Sequence, residues 1–295
     1  MYTHTLKKLE KNTVEILVDI PKNTVEKEYA ASFSILLLNL EVEGFRKGKV
    51  PAKIAEKHLK KETVYQELIR SLVPRIYQEI IKKEGLKPIV SPKIELLNAK
   101  ENEDWQIKIT LAEKPLIQLG KYKDAIKKIK SEQKKEDIWV PGKNPPSGAP
   151  KDLSEKEKSK KQQELLNTIL STILKETKCE ISDLVIEEEL NHRLSNLVTD
   201  IQKIGLTVEA YLKSKNLTQD QLRSKYKEEI EQTYKLEFIL AELADRENIK
   251  VENQELEKLL SNITDAKERE SAKANSYFYA SVLRKQKTLD YLLGL

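Results

Sequence analysis

Cysteine occurs once, at Cys179, methionine only at position 1, and histidine at three scattered places, His4, His58 and His192. A single thiol excludes an internal disulfide, and histidines this far apart give no metal-ligand spacing, so no metal, redox centre or other cofactor is expected. Cys179 lies between Lys178 and Glu180 without the nearby histidine that would make it a nucleophile. Long apolar runs are missing as well. The longest uncharged stretch near the start, Tyr29 to Leu40, has 12 residues and includes Ser32, Ser34 and Asn39, short of the ~20 apolar residues of a membrane span. Lys7, Lys8, Glu10, Lys11 and Glu15 interrupt every candidate for a secretory signal. No membrane partner is expected, and the expected location is the cytoplasm.

What is abundant is charge. Lys and Arg number 53 and Asp and Glu 48, together 34% of the 295 residues, for a net charge of +5. Counted without Tyr and with Gly, apolar residues make up about 38%, below the roughly 45–50% of a compact globular domain. That balance favours long helices with wetted outer faces over one thick core, and the length favours two domains. The charge is unevenly spread: residues 1–118 carry 21 basic and 17 acidic side chains, residues 119–165 carry 13 and 8, and residues 166–295 carry 19 and 23. The first two regions suit a polyanionic surface, and the acidic last region would be repelled from one.

Val14, Ile16, Val18 and Ile20 alternate with Thr13, Glu15, Leu17 and Asp19, the period of a strand with one buried face. Asn23 with Glu26 has capping-box spacing, opening a helix with Val25, Tyr29, Phe33, Leu36, Leu37 and Leu40 on one stripe. A second helical stretch carries Val64, Leu68, Leu72, Ile76 and Ile80 and ends at Gly85, with Pro74 expected to kink or divide it. Ile94 with Leu96, then Trp105, Ile107, Ile109 and Leu111, read as two more strands. Residues 1–118 are therefore expected to form an α+β domain. From Leu119 the pattern dissolves, and Pro141 to Pro150 packs four prolines and two glycines into ten residues. Residues 119–152 thus read as a basic linker, with Ile138-Trp139-Val140 as a short apolar docking patch. Beyond Asp152 proline is absent and apolar residues recur at helical spacing, so residues 153–295 are expected to be an all-α domain, in an elongated molecule.

Gly44-Phe45-Arg46-Lys47-Gly48-Lys49-Val50-Pro51 has the composition of an exposed loop tip: two glycines, an aromatic ring without an obvious core partner, and a proline able to open a helix. Arg46, Lys47, Lys49, Lys53, Lys57, Lys60 and Lys61 face only Glu56 in the same stretch. An aromatic ring flanked by cations suits a ribonucleoprotein, with the cations on phosphate or carboxylate and the ring in an apolar pocket. The segment is one residue short of a P-loop, and Lys49 is followed by Val50 instead of Ser or Thr, which sets nucleotide binding aside. Composition alone leaves a merely solvated turn equally open.

The octapeptide resembles the signature Gly-Phe-Arg-x-Gly-x-x-Pro of the trigger factor family, matching it at Gly44, Phe45, Arg46, Gly48 and Pro51. The surrounding element order is also similar to that family's N-terminal domain. The resemblance implies an ATP-independent, ribosome-associated chaperone. Gly44, Phe45, Arg46, Lys47, Gly48, Lys49 and Pro51 would then be ribosome-binding, with Phe45, Arg46 and Lys47 docking beside the exit tunnel of the large subunit on protein and ribosomal RNA. Helices after residue 152 resemble the family's body and arms, which implies that they shield nascent polypeptides. A weak homodimer off the ribosome is the remaining partner class. Typical members carry an isomerase domain of about 90 residues between these regions, well within domain size. Leu119 to Asp152 is too short for it, so no isomerase activity, and no enzyme activity, is expected.

A holding surface needs exposed apolar side chains in a charged surround. The candidates are Ile186, Leu190, Leu194, Leu197, Leu236, Phe238, Ile239 and Leu243, with Tyr277, Phe278, Tyr279 and Val282, although such stripes more often form core. Two rivals remain at this stage. An RNA-binding or ribosome-assembly factor would share the basic loop without holding unfolded protein, and a cryptic prolyl isomerase would show in a proline-peptide assay.

Overall fold

The computed structural model describes residues 2–136 and 155–295. Its contacts divide the chain into two compact units, Met1–Lys114 with Ser182–Asn191, and Pro115–Ile181 with His192–Leu295.

In the first unit, β1 (Thr3–Lys8) and β2 (Thr13–Ile20) form a hairpin. They are followed by α1 (Lys22–Asn39), α2 (Ala52–His58), α3 (Lys61–Glu84), β3 (Lys93–Asn98) and β4 (Trp105–Ala112). The antiparallel sheet runs β1-β2-β4-β3. Ile16 lies opposite Ile109, Val18 opposite Ile107 and Ile20 opposite Trp105. The alternation in β2 and β4 therefore becomes one continuous apolar face, buried against Leu68, Leu72, Ile76 and Ile80 of α3. Each such side chain taken out of water contributes ~1.5–3 kcal/mol before entropy is counted. β1 escapes the sequence reading because Leu6 is its only strongly apolar residue, as suits an edge strand.

Two local expectations change. Asn23 is not the cap of α1: the helix begins at Lys22 after Pro21, with no side-chain cap. The Lys22 backbone N–H donates instead to Asp104 Oδ1 at 2.7 Å, so a tertiary carboxylate satisfies a donor that the Asn-Glu spacing seemed to serve. Pro74 neither divides nor ends α3, which is one helix of 24 residues. Leu72, Val73 and Ile76 around it are all buried, and that packing outweighs the ~3 kcal/mol that an interior proline costs.

The second unit begins with β5 (Ile117–Gln118) and α4 (Tyr122–Glu136). It continues through α5 (Glu155–Glu176), β6 (Lys178–Cys179), α6 (Asp183–Lys203), α7 (Val208–Ser214), α8 (Gln219–Arg246), α9 (Asn253–Ser261), α10 (Ala266–Ala274) and α11 (Ser276–Gly294). The first turns of α6 belong to the first unit, where Ser182 Oγ lies 2.8 Å from Thr13 Oγ1 and Lys11 Nζ donates to Asp183 Oδ1 at 2.8 Å. The all-helical expectation is close but incomplete, since β6 pairs with β5, Ile117 opposite Cys179. After Asp265 the chain forms two helices, because Asp265 caps α10 through Lys267 and Glu268 and the chain turns at Asn275.

The larger correction is α4. The region expected to be patternless from Leu119 holds a 15-residue helix that buries Tyr122 and Ile126 beneath a strongly basic outer face. Its Tyr122 Oη donates to Glu247 Oε1 at 2.6 Å, and Lys123 Nζ and Tyr291 Oη donate to Glu247 Oε2 at 2.8 and 2.5 Å. These donors hold the Glu247 carboxyl down at about 2, and burial, followed by the bond to the Glu247 carboxylate, pushes Tyr122 up to about 12. One carboxylate thus ties α4 to the end of α8 and to α11. The expected docking patch Ile138-Trp139-Val140 and the Pro141 to Pro150 segment lie outside the described residues.

Candidate functional site

The loop between α1 and α2 is built from two consecutive turns, each with glycine at its third residue. Phe45 N–H donates to Val42 O at 3.0 Å across Gly44, and Lys49 N–H donates to Arg46 O at 2.9 Å across Gly48. Gly44 has φ +85 and Gly48 φ +74, the positive values that a type II turn requires at that place. The four-residue spacing of the glycines therefore sets two corners, with Phe45, Arg46 and Lys47 between them. Gly48 is doubly constrained: a Cβ there would lie 2.9 Å from Leu38 O, whereas one on Gly44 would meet nothing within 4 Å. The Gly48 N–H also donates to Leu40 O at 3.5 Å, which folds the loop back on the end of α1.

Phe45 is 41% exposed, and Arg46, Lys47 and Lys49 are exposed beside it. Pro51 serves as the cap residue of α2, one position earlier than the first helical residue the sequence suggested. Val50 and Ala55 are buried and anchor the loop's exit. The seven cations of residues 46–61 are not equivalent. Lys47 pairs with Glu41 at 3.0 Å and Lys61 with Glu101 at 2.6 Å. Arg46, Lys49, Lys53, Lys57 and Lys60 make no side-chain ion pair within the described residues. Lys53 and Lys57 stand one turn apart on α2 and therefore share a face.

The twelve apolar candidates of the helical region separate by burial. Ile186, Leu190, Ile239 and Leu243 are buried, so their stripe forms core and offers no surface. Leu194, Leu197, Leu236, Phe238 and Tyr279 are half-buried. Tyr277, Phe278 and Val282 stand out at 88%, 62% and 49% exposed. They border a groove of about 370 Å³ whose other walls include Leu240, Ala244 and Thr288. Lys285–Glu237 and Arg284–Asp245 ion pairs, at 3.0 and 2.7 Å, rim it. Phe278 packs edge-on against Tyr279, ring centroids 5.6 Å apart. An apolar trough with a neutralised charged rim can take apolar side chains from many sequences without fixing their order.

Sequence reasoning missed two further exposed groups. Val198, Ile204 and Leu206 are exposed around the end of α6. Ile35 and Leu38 are exposed on α1, while the sequence stripe had chosen Leu36 and Leu37, which are half-buried. The run Ile35-Leu36-Leu37-Leu38 carries the signal: four consecutive apolar residues cover more than one side of a helix. Among the described residues no helix is long and apolar enough to cross a membrane.

Comparison with known proteins agrees with this geometry. Residues 2–139 match the family model of the bacterial trigger factor protein, and residues 149–293 match the model of its C-terminus. The chain is 33% identical over 135 residues to trigger factor of Natranaerobius thermophilus, covering 45% of this chain and 30% of that one. It is 25% identical over 176 residues to trigger factor of Lactococcus lactis subsp. lactis, covering 60% and 36%. The matches thus span about a third of these relatives' own length. A solved structure, from work on promiscuous substrate recognition in folding and assembly by the trigger factor chaperone, superposes with TM-score 0.64 over 98% of this chain and 99% of that one, at 15% identity. With both family models matched in order and the signature glycines each at a turn that needs them, the chain belongs to the bacterial trigger factor family.

Proposed function

We propose that this chain is an ATP-independent chaperone that docks on the large ribosomal subunit beside the exit tunnel and shields emerging polypeptides. The observation that carries the reading is the double turn that holds Phe45, Arg46 and Lys47 outward between Gly44 and Gly48, in a chain of this family. Phe45 would fill an apolar pocket of a ribosomal protein. Arg46 would pair with carboxylate or phosphate, and Lys49, Lys53 and Lys57, which make no ion pair among the described residues, suit the phosphate backbone of ribosomal RNA. Lys47 must first leave Glu41, an exposed pair worth ~0.2–1 kcal/mol. Unfolded chain would be held on Tyr277, Phe278 and Val282, with half-buried Leu194, Leu197, Leu236, Phe238 and Tyr279 as secondary contacts. Release needs no fuel, because contacts of this kind exchange by dissociation.

The two family models leave only residues 140–148 between them. That spacing supports a chain without prolyl-isomerase activity, and family membership supports action in the bacterial cytoplasm as ribosome-bound and free pools. Off the ribosome, a weak homodimer would cover the same apolar surfaces. The test is co-sedimentation with bacterial ribosomes of the intact chain and of a Phe45→Ala, Arg46→Ala, Lys47→Ala variant at low and physiological salt. The intact chain should pellet with the large subunit and the variant should stay in solution. Equal pelleting of both would refute docking through this loop, and binding to naked RNA without suppression of aggregation would favour an RNA-binding factor.

A further inference from the structure

Exposed aliphatic residues on a helix are informative when they cluster, and α1 changes character along its length. Its outward positions in the first turns are Glu26, Lys27, Ala30 and Ala31, an ordinary solvated face. In the last turns Ile35 and Leu38, 46% and 65% exposed, join the exposed Ser34 and Asn39. The three-residue spacing puts Ile35 and Leu38 on one face, turned from the side that buries Val25 and Ser32. The change occurs where α1 meets the signature loop. Gly48 comes so close to Leu38 that a Cβ would lie 2.9 Å from its carbonyl oxygen, and the Gly48 N–H donates to Leu40 O. Ile35, Leu38 and the exposed Phe45 therefore belong to one end of the first unit, with Arg46 and Lys49, which make no ion pair among the described residues, beside them.

We propose that Ile35 and Leu38 form an apolar pad that extends the docking loop and seats, with Phe45, on a ribosomal protein whose apolar patch is rimmed by carboxylates. The inference rests on the docking reading above. Continuity with the loop names the occupant: a partner that receives Phe45 also faces the pad. Arg46, which makes no ion pair among the described residues, complements an acidic rim. RNA is a poor fit for the pad itself, since aliphatic side chains neither pair with phosphate nor stack on bases.

The experiment measures ribosome affinity of the full chain, an Ile35→Ser, Leu38→Ser double variant, a Lys53→Ala, Lys57→Ala double variant, and the loop variant, across a salt series. Melting of each variant checks the fold, which exposed substitutions should leave unchanged. The pad variant is expected to bind at least about ten-fold more weakly, by the same factor at every salt concentration, as removal of buried apolar area requires. The lysine variant is expected to flatten the salt dependence instead. If the loop variant binds like the intact chain, the docking reading fails and takes the pad with it. If the loop variant is lost but the pad variant binds normally, the pad proposal alone is overturned. Normal ribosome binding by the pad variant with weaker suppression of aggregation, or with a lost self-association in sedimentation equilibrium, would assign the face to unfolded chain or to a second copy and likewise overturn it.

Discussion

The signature loop and the apolar face of α11 are both exposed and both carry aromatic side chains, yet one is specified locally and the other is not. In the loop, Gly44 and Gly48 stand where the chain needs positive φ, so an octapeptide fixes the shape and hence which residues point outward. On α11, Tyr277, Phe278 and Val282 are outward only because no helix among the described residues covers them, while Leu243 of α8 is covered completely. A turn motif carries its own geometry. A helical stripe reports only that something packs somewhere.

That contrast can be broken most forcefully at the covered stripe. Leu190→Ala and Leu243→Ala should each cost ~2–5 kcal/mol in denaturant melts, as large-to-small changes at fully buried sites do. A cost below 0.5 kcal/mol would show that the stripe is surface after all. Within the loop, Gly48→Ala should be the damaging substitution, since it adds a backbone clash with Leu38 O to the positive-φ strain. Gly44→Ala adds strain alone, ~1–2 kcal/mol. Ribosome affinity should therefore fall markedly for Gly48→Ala and modestly for Gly44→Ala, and equal effects would mean that the loop re-forms without touching α1.

Glu247 supplies an intermediate effect. Glu247→Gln removes the charge that receives Tyr122, Lys123 and Tyr291 and should destabilise the helical unit by ~1–2 kcal/mol. Because the folded carboxyl is held at about 2, below its ordinary 4.5, its stabilisation is fully present above pH 4.5 and is lost as pH falls through that window toward 2. Melting temperature should therefore drop less steeply with acid in the Gln variant than in the parent, and parallel curves would refute the cage. The smallest stability effect belongs to the open face. Tyr277→Ser, Phe278→Ser and Val282→Ser together should move stability by no more than ~0.5 kcal/mol per site while weakening suppression of aggregation, measured with a denatured reporter protein.

The division of legibility follows the range of the interactions. β2 and β4 were readable because alternation through Val14 to Ile20 and Trp105 to Leu111 is set by a two-residue period, and α3 because six buried positions from Val64 to Ile80 keep helical register. β1 was not, because one leucine in six residues makes no pattern and its place is set by pairing with β2. α4 hid beneath lysines: the spacing of Leu119, Tyr122 and Ile126 was present, but packing against α5 and the bonds to Glu247, 121 residues beyond Ile126, make it a packed element. The Asn23 cap failed for the same reason, since Asp104 arrives from another part of the chain.

By itself the amino-acid sequence determined the turns, the periods and the family signature, all of which depend on φ preference, side-chain alternation and residues within a few positions of each other. Only the tertiary structure decided which apolar stripes are core and which remain open. Solvent exposure depends on what the rest of the chain places opposite a side chain, and the described residues place too little opposite Ile35, Leu38, Tyr277 and Phe278 to cover them.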